Sequence, residues 1–147
     1  MSRYHHILVA LDLSADETES IVERAVAIGE GEAKITLLHV IEPMNFAYGW
    51  EVGAASVTNI EDNARRATAE RLAEIGARNG IDEQDQVIIL GRAADGVHRM
   101  AKEGDVDLIV IGSHGRHGMG LLLGSTANAV LHGATCDVLA VRVGAHG

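Results

Sequence analysis

Cysteine occurs once in the 147 residues, at Cys136, so no internal disulfide can staple the fold and packing alone must hold it. Such usage suits a reducing compartment, and a cytoplasmic location is the expectation. The thiol stands just before the last apolar run, which predicts a small core residue and not a reactive group. Aromatic residues are also scarce, at 3% against 47% hydrophobic, so the core must be aliphatic. Val, Ile, Leu and Ala are the palette of parallel strands covered by helices on both faces. Basic charge is deficient as well: 12 Lys and Arg against 21 Asp and Glu leave a formal net charge of −9. That acidity argues against nucleic acid and anionic membrane as partners, since both select a basic patch. No apolar run is long enough to cross a bilayer, and the short polar start before Ile7 does not read as a signal peptide. One soluble domain over residues 1–147 is expected, without repeat, linker or low-complexity segment.

What the chain has in quantity is a regular alternation of apolar runs and helical periods. Ile7-Leu8-Val9-Ala10-Leu11, closed by Asp12, reads as a strand buried on both faces. Ser14-Ala15-Asp16-Glu17 has the form of a capping box, and Ile21, Val22, Ala25, Val26 and Gly29 then fall on one helical face. Lys34-Ile35-Thr36-Leu37-Leu38-His39-Val40-Ile41 is a second strand, broken by Glu42-Pro43. His39 in that strand is expected to be a hydrogen-bonded core histidine. A stretch without period follows to Val57 and holds Phe46, Tyr48 and Trp50, which are candidate anchors for an unidentified protein partner. Thr58-Asn59-Ile60-Glu61 reads as a second capping box, opening a long helix with Ile60, Ala64, Ala67, Leu72 and Ile75 inward. Further strands are expected at Gln86-Val87-Ile88-Ile89-Leu90, over 107–111 and over 138–143. A third helix around Val97, Met100 and Ala101 ends at Gly104. Five strands alternating with helices mean right-handed crossovers and a parallel, doubly wound α/β sheet. Ligands of such sheets bind beyond the carboxyl ends of the strands, the edge shared by Asp12, Val40 and Gly112.

The most informative segment follows the apolar run Leu108-Ile109-Val110-Ile111. It is Gly112-Ser113-His114-Gly115-Arg116-His117-Gly118-Met119-Gly120-Leu121-Leu122-Leu123-Gly124-Ser125-Thr126, leading into a short helix over 127–132. A buried strand, a glycine-rich turn and a helix start together offer backbone N–H groups to an anion, helped by the helix dipole. A nucleotide phosphate is therefore expected here. The turn is not a Walker A loop, because the lysine that reaches the β- and γ-phosphates has no counterpart. His114 and His117 are joined by no Cys or carboxylate in the loop, so no transition-metal site is expected. No Asp, Glu or Gln between Gly112 and Thr126 is present to orient water at a γ-phosphate. A dedicated ATPase is not expected.

The chain resembles the universal stress protein family, the UspA type. The resemblance rests on His6-Ile7-Leu8-Val9-Ala10-Leu11-Asp12-Leu13-Ser14, on Leu37-Leu38-His39-Val40-Ile41 and on Asp107-Leu108-Ile109-Val110-Ile111-Gly112-Ser113-His114-Gly115. Leu122-Leu123-Gly124-Ser125 and Cys136-Asp137-Val138-Leu139-Ala140-Val141 complete it. It implies a five-stranded parallel sheet in the order 3-2-1-4-5, Rossmann-like and akin to the adenine nucleotide alpha hydrolases. It also implies an ATP or other adenine nucleotide in the crevice, with Mg2+ carried by the phosphates. Carried over, Ala10, Leu11 and Asp12 end the first strand, with Asp12 on the ribose hydroxyls, and Val40 meets the adenine edge through its backbone. Ile111, Gly112, Gly115 and Arg116 line the ribose and phosphates, while Gly124, Ser125 and Thr126 cradle the phosphate tail. The resemblance further implies a homodimer through the last strand, Val138-Leu139-Ala140-Val141-Arg142-Val143, whose apolar edge invites pairing with a second copy.

One departure stands out. Eight residues separate Gly115 from Gly124, one fewer than in the nucleotide-binding members, although every glycine is kept. Losing one residue shifts the phosphate-facing amides by up to about 3–4 Å unless Gly118 and Gly120 absorb it. The resemblance therefore leaves two alternatives to nucleotide-dependent regulation: a ligand-free dimeric scaffold of the UspA-proper branch, and a slow ATP hydrolase.

Overall fold

A computed structural model of the chain describes residues 2–13, 18–42, 54–113 and 124–142, with the side chains of 54–58 excepted. In chain order the elements are β1 His6–Ala10, α1 Thr18–Gly29, β2 Lys34–Ile41, α2 Ala54–Asn79, β3 Gln86–Leu90, α3 Ala93–Glu103, β4 Leu108–Gly112, α4 Ser125–Gly133 and β5 Asp137–Val141. A 3-10 turn, Glu83–Asp85, leads into β3. The strands form one sheet in the order β3-β2-β1-β4-β5, and every neighbouring pair is parallel. That is the order implied by the resemblance.

Continuous apolar runs suit this sheet because both faces are covered. On one face Ile7, Val9, Leu37 and Val110 pack under α1, through Ile21, Val22 and Ala25, and under α2, through Leu72 and Ile75. On the other, Leu8, Leu38, Ile109 and Ile111 pack under α3, through Val97 and Ala101, and under α4, through Ala127 and Val130. β1 and β4 are buried almost throughout, whereas β3 and β5 are half-exposed edges. Cys136, before β5, is half-buried, and burial together with the charges of Asp137 and Asp107 pushes its thiol up, which keeps it protonated.

Three expectations change. α2 begins at Ala54, so Thr58 lies inside the helix and cannot cap it, because a cap needs a non-helical residue. Ile60 is 43% exposed and Ala67 is also exposed, while Leu72 and Ile75 are buried as expected. A helix of 26 residues is about 39 Å long, against about 17 Å for a five-residue strand, so only part of it can lie on the sheet. Third, the last strand stops at Val141, short of Arg142. The box at 14–17, the aromatics Phe46, Tyr48 and Trp50, and Val143 lie outside the described residues.

The amino-terminal end of the sheet is bound together by side chains. The Asp107 carboxylate accepts the N–H of His5 at 2.9 Å and of His6 at 3.0 Å. The His6 ring bridges Gly104 O and Thr36 Oγ1, both at 2.8 Å. Burial alone would raise Asp107, but the backbone N–H groups of His5, His6 and Asp107 itself, together with the charge of His5, outweigh it and hold the carboxyl below its usual range.

Candidate functional site at the carboxyl edge of the sheet

β1, β2 and β3 succeed one another in one direction, and the chain then crosses to place β4 on the far side of β1. The winding therefore reverses between β1 and β4, where a crevice forms beyond the strand ends. Ala10 stands opposite Leu38 on one side and Ile111 on the other, so the crevice opens directly past these residues.

Ala10, Leu11 and Ile111 are buried, so their side chains belong to the core and only their main chain borders the opening. Leu11 N–H donates to Leu38 O at 2.9 Å and so continues the pairing of β1 with β2 by one residue. Leu11 O then accepts the His39 ring at 2.7 Å. A carbonyl can only accept, so Nδ1 of His39 carries the proton. His39 is half-buried and hydrogen-bonded, as expected. The carbonyl of the next residue, Asp12, accepts the Thr18 hydroxyl at 3.1 Å, and Thr18 is fully buried. Both peptide groups flanking Asp12 are thus held, and the residue itself is exposed at the strand end.

Val40 is half-buried beneath α3, where Gly96 lets the helix approach closely. A Cβ on Gly96 would stand 2.9 Å from Val40 Cγ2. In a parallel ladder the N–H and C=O of alternate residues point to the same neighbour. Leu38 points its carbonyl toward β1, so Val40 points its own groups the same way, past the end of the β1 ladder. A strand-end amide and carbonyl so placed can meet the edge of a planar base.

Across the crevice, Gly112 pairs with Val141 and remains half-exposed. Ser113 N–H donates to Val141 O at 2.7 Å, and Ser113 O accepts Gly124 N–H at 2.6 Å. This second bond anchors the entry of α4 to the end of β4. Gly124 is the N-cap in extended conformation, supplies no side-chain cap, and is followed by a first turn without acidic residues. Ser125 and Thr126 in that turn are exposed. The start of α3 differs, because Ala93 N–H already donates to the Glu42 carboxylate at 3.2 Å and Asp95 lies in its first turn. Among the described residues, the start of α4 carries neither a side-chain cap nor an acid, and so suits an anion from outside better than that of α3.

The structure thus gathers Ala10, Leu11, Asp12, Val40, Ile111, Gly112, Gly124, Ser125 and Thr126 at one edge. Gly115 and Arg116 lie outside the described residues, as do His114 and His117. Among the described residues no group of three His, Cys, Asp or Glu is placed to hold a metal ion. Thr18 was missed by sequence reasoning, since nothing marks a helix-start threonine as the partner of a carbonyl six residues earlier. The amide-lined, acid-free helix start and the exposed Asp12 carboxylate fit the phosphates and ribose of a nucleotide.

Comparison with known proteins agrees with this architecture. The family model described as the universal stress protein family matches residues 3–142. Universal stress protein A homolog 2 of Coxiella burnetii is 42% identical over 144 residues, covering 97% of this chain and 98% of that protein. Among solved structures, hypothetical protein MJ0577 superposes with a TM-score of 0.82 at 21% identity, over 97% of this chain and 99% of that one. A universal stress protein in complex with cAMP superposes with a TM-score of 0.66 at 24% identity, over 97% and 100% of the two chains.

Proposed function

The chain belongs to the universal stress protein family, and from that premise we propose that it is a cytoplasmic regulatory module that binds an adenine nucleotide in the crevice between β1 and β4. One observation carries the reading: α4 starts without side-chain cap or acid, fixed to the end of β4 by the Ser113–Gly124 bond, on the edge that presents Asp12. A structural relative in complex with cAMP supports an adenine nucleotide as the ligand class.

In this reading the two Asp12 oxygens take the two ribose hydroxyls, and the Val40 main chain takes the adenine edge. Gly112, Gly115 and Arg116 border the ribose and α-phosphate, and the amides at Gly124, Ser125 and Thr126 receive the phosphate tail. Mg2+ would be held by phosphate and water oxygens. The turn's sequence supplies no group to orient an attacking water, so the module acts by occupancy, altering the surface offered to a protein partner. β5 is an edge strand with Val138 and Leu139 half-exposed, and a second copy pairing along it would cover that edge.

Calorimetry with ATP, ADP and cAMP in the presence of magnesium tests the ligand. Saturable binding is expected, weakened about tenfold by Asp12→Ala, which corresponds to about 1.4 kcal/mol. No heat at millimolar nucleotide would overturn the reading and leave the ligand-free scaffold. Sedimentation at micromolar protein tests the pairing, and a monomer would contradict it.

A further inference from the structure

Along β4 the side chains alternate between the two faces, so Ser113 follows Ile109 and Ile111 toward the face that carries α3 and α4. Its main chain is fully engaged, N–H to Val141 and C=O to Gly124. Its hydroxyl is not. Ser113 is only 9% exposed, and its Oγ is the buried side-chain polar atom without a hydrogen-bond partner among the described residues. The other buried polar residues differ: Thr18 donates to Asp12 O, and Thr36 meets the His6 ring. A buried hydroxyl without a partner destabilises a fold, and alanine at the same place would not carry that cost.

The position explains what the hydroxyl is for. It belongs to the residue whose carbonyl anchors the Gly124 amide, on the same face as the uncapped first turn of α4. Resting on the nucleotide reading above, we propose that Ser113 senses phosphate: its hydroxyl donates to a phosphoryl oxygen of the bound nucleotide, beside the first-turn amides of α4. Among the described residues nothing meets this donor, and a phosphoryl oxygen of the ligand would. Ser113 thereby discriminates nucleotides from nucleosides, whereas Asp12 and Val40, on the other side of the crevice, do not.

The test compares the wild-type chain with Ser113→Ala and Ser113→Thr, using calorimetry with ADP and with adenosine and thermal melting without ligand. Ser113→Ala is expected to melt at or above the wild-type temperature, to bind ADP about five- to tenfold more weakly, and to give the wild-type isotherm with adenosine. Ser113→Thr, which keeps the hydroxyl, is expected to recover most of the ADP affinity. If the wild type binds ADP and Ser113→Ala binds it equally well, the inference fails while the nucleotide reading stands. Equal weakening toward ADP and adenosine, or a marked fall in the ligand-free melting temperature of Ser113→Ala, shows a structural role and also overturns it. A wild-type protein that takes up no ADP removes the nucleotide reading and this inference with it.

Discussion

Replacing His39 by alanine tests how the crevice is held in shape. The Nδ1–H to Leu11 O bond, at 2.7 Å, fixes the peptide whose other atom is the amide nitrogen of Asp12. A hydrogen bond of this kind contributes a net of about 0.5–1.5 kcal/mol, and leaving a buried acceptor unmet costs about 1–3 kcal/mol. Leu11 is only 5% exposed, but His39 is half-buried, so water replaces part of what is lost. A loss of about 2–3 kcal/mol is expected, or about 4–12 °C in melting temperature for a chain of this size. His39→Gln keeps an N–H donor at similar reach and should recover roughly half of that loss. Where His39→Ala is still folded, the freed peptide no longer sets the direction of Asp12, and nucleotide affinity should fall severalfold. Thermal melting of both variants, with calorimetry at 20 °C or below, reads both effects. An unchanged melting temperature, or a glutamine variant no more stable than the alanine one, would show that the bond is incidental.

Two further expectations concern the frame around the crevice. In α2, a Cβ on Gly76 would lie 2.7 Å from the Ile81 carbonyl oxygen and against the Gln86 amide, so Gly76→Ala should cost about 2 kcal/mol in urea denaturation. Gly80→Ala has open space but a φ of +71°, and should cost about 1 kcal/mol for conformation alone; equal stability of Gly76→Ala and wild type would refute the steric argument. Asp107→Asn removes a carboxylate whose folded value lies below the unfolded one, because the backbone N–H groups of His5, His6 and Asp107 and the charge of His5 together outweigh burial. Such a group stabilises above its unfolded value of about 3.9, and the contribution is lost as pH falls through the lower folded one. The stability gap between wild type and Asp107→Asn should therefore be full at pH 7 and shrink below about pH 4; a gap as wide at pH 3 would contradict the assignment.

Much of this frame is legible in the sequence because few alternatives satisfy a continuous apolar run. Ile7 to Ala10 and Leu108 to Ile111 carry no polar residue, so they must be covered on both faces, and the structure buries them in the sheet centre. The convergence of Asp12, Val40 and Gly112 follows from strand ends alone once all strands are parallel. The strand order came from resemblance, since apolar pattern does not distinguish which neighbour a strand chooses. α2 was misread because its apolar residues were all assigned inward, whereas Ile60 is exposed and Leu72 fully buried on the same helix. Burial there depends on how far the sheet extends beneath the helix, which periodicity does not encode. The hydroxyl of Ser113 escaped notice for a similar reason. Its lack of a partner is a property of what surrounds it, while the sequence shows only a serine beside glycine.

The shortened loop is the feature on which sequence and structure bear differently. Read alone, one residue fewer between Gly115 and Gly124 threatens the placement of every phosphate-facing amide. The structure bears on the amides that begin α4. Those that begin α4 are fixed from outside the loop, because Gly124 N–H is bonded to Ser113 O at 2.6 Å and Ser113 N–H to Val141 O at 2.7 Å. A change of length between two fixed ends must be absorbed by the segment between them. The helix start is therefore held to the end of β4, and through it to β5, by bonds that do not run through the loop. Shortening should then change how the middle of a phosphate chain is gripped far more than whether an anion is received at α4. On the proposed nucleotide reading, affinity should therefore depend on the number of phosphates, and loosening the Ser113–Gly124 anchor should weaken that preference; equal affinity for AMP, ADP and ATP by calorimetry would refute it.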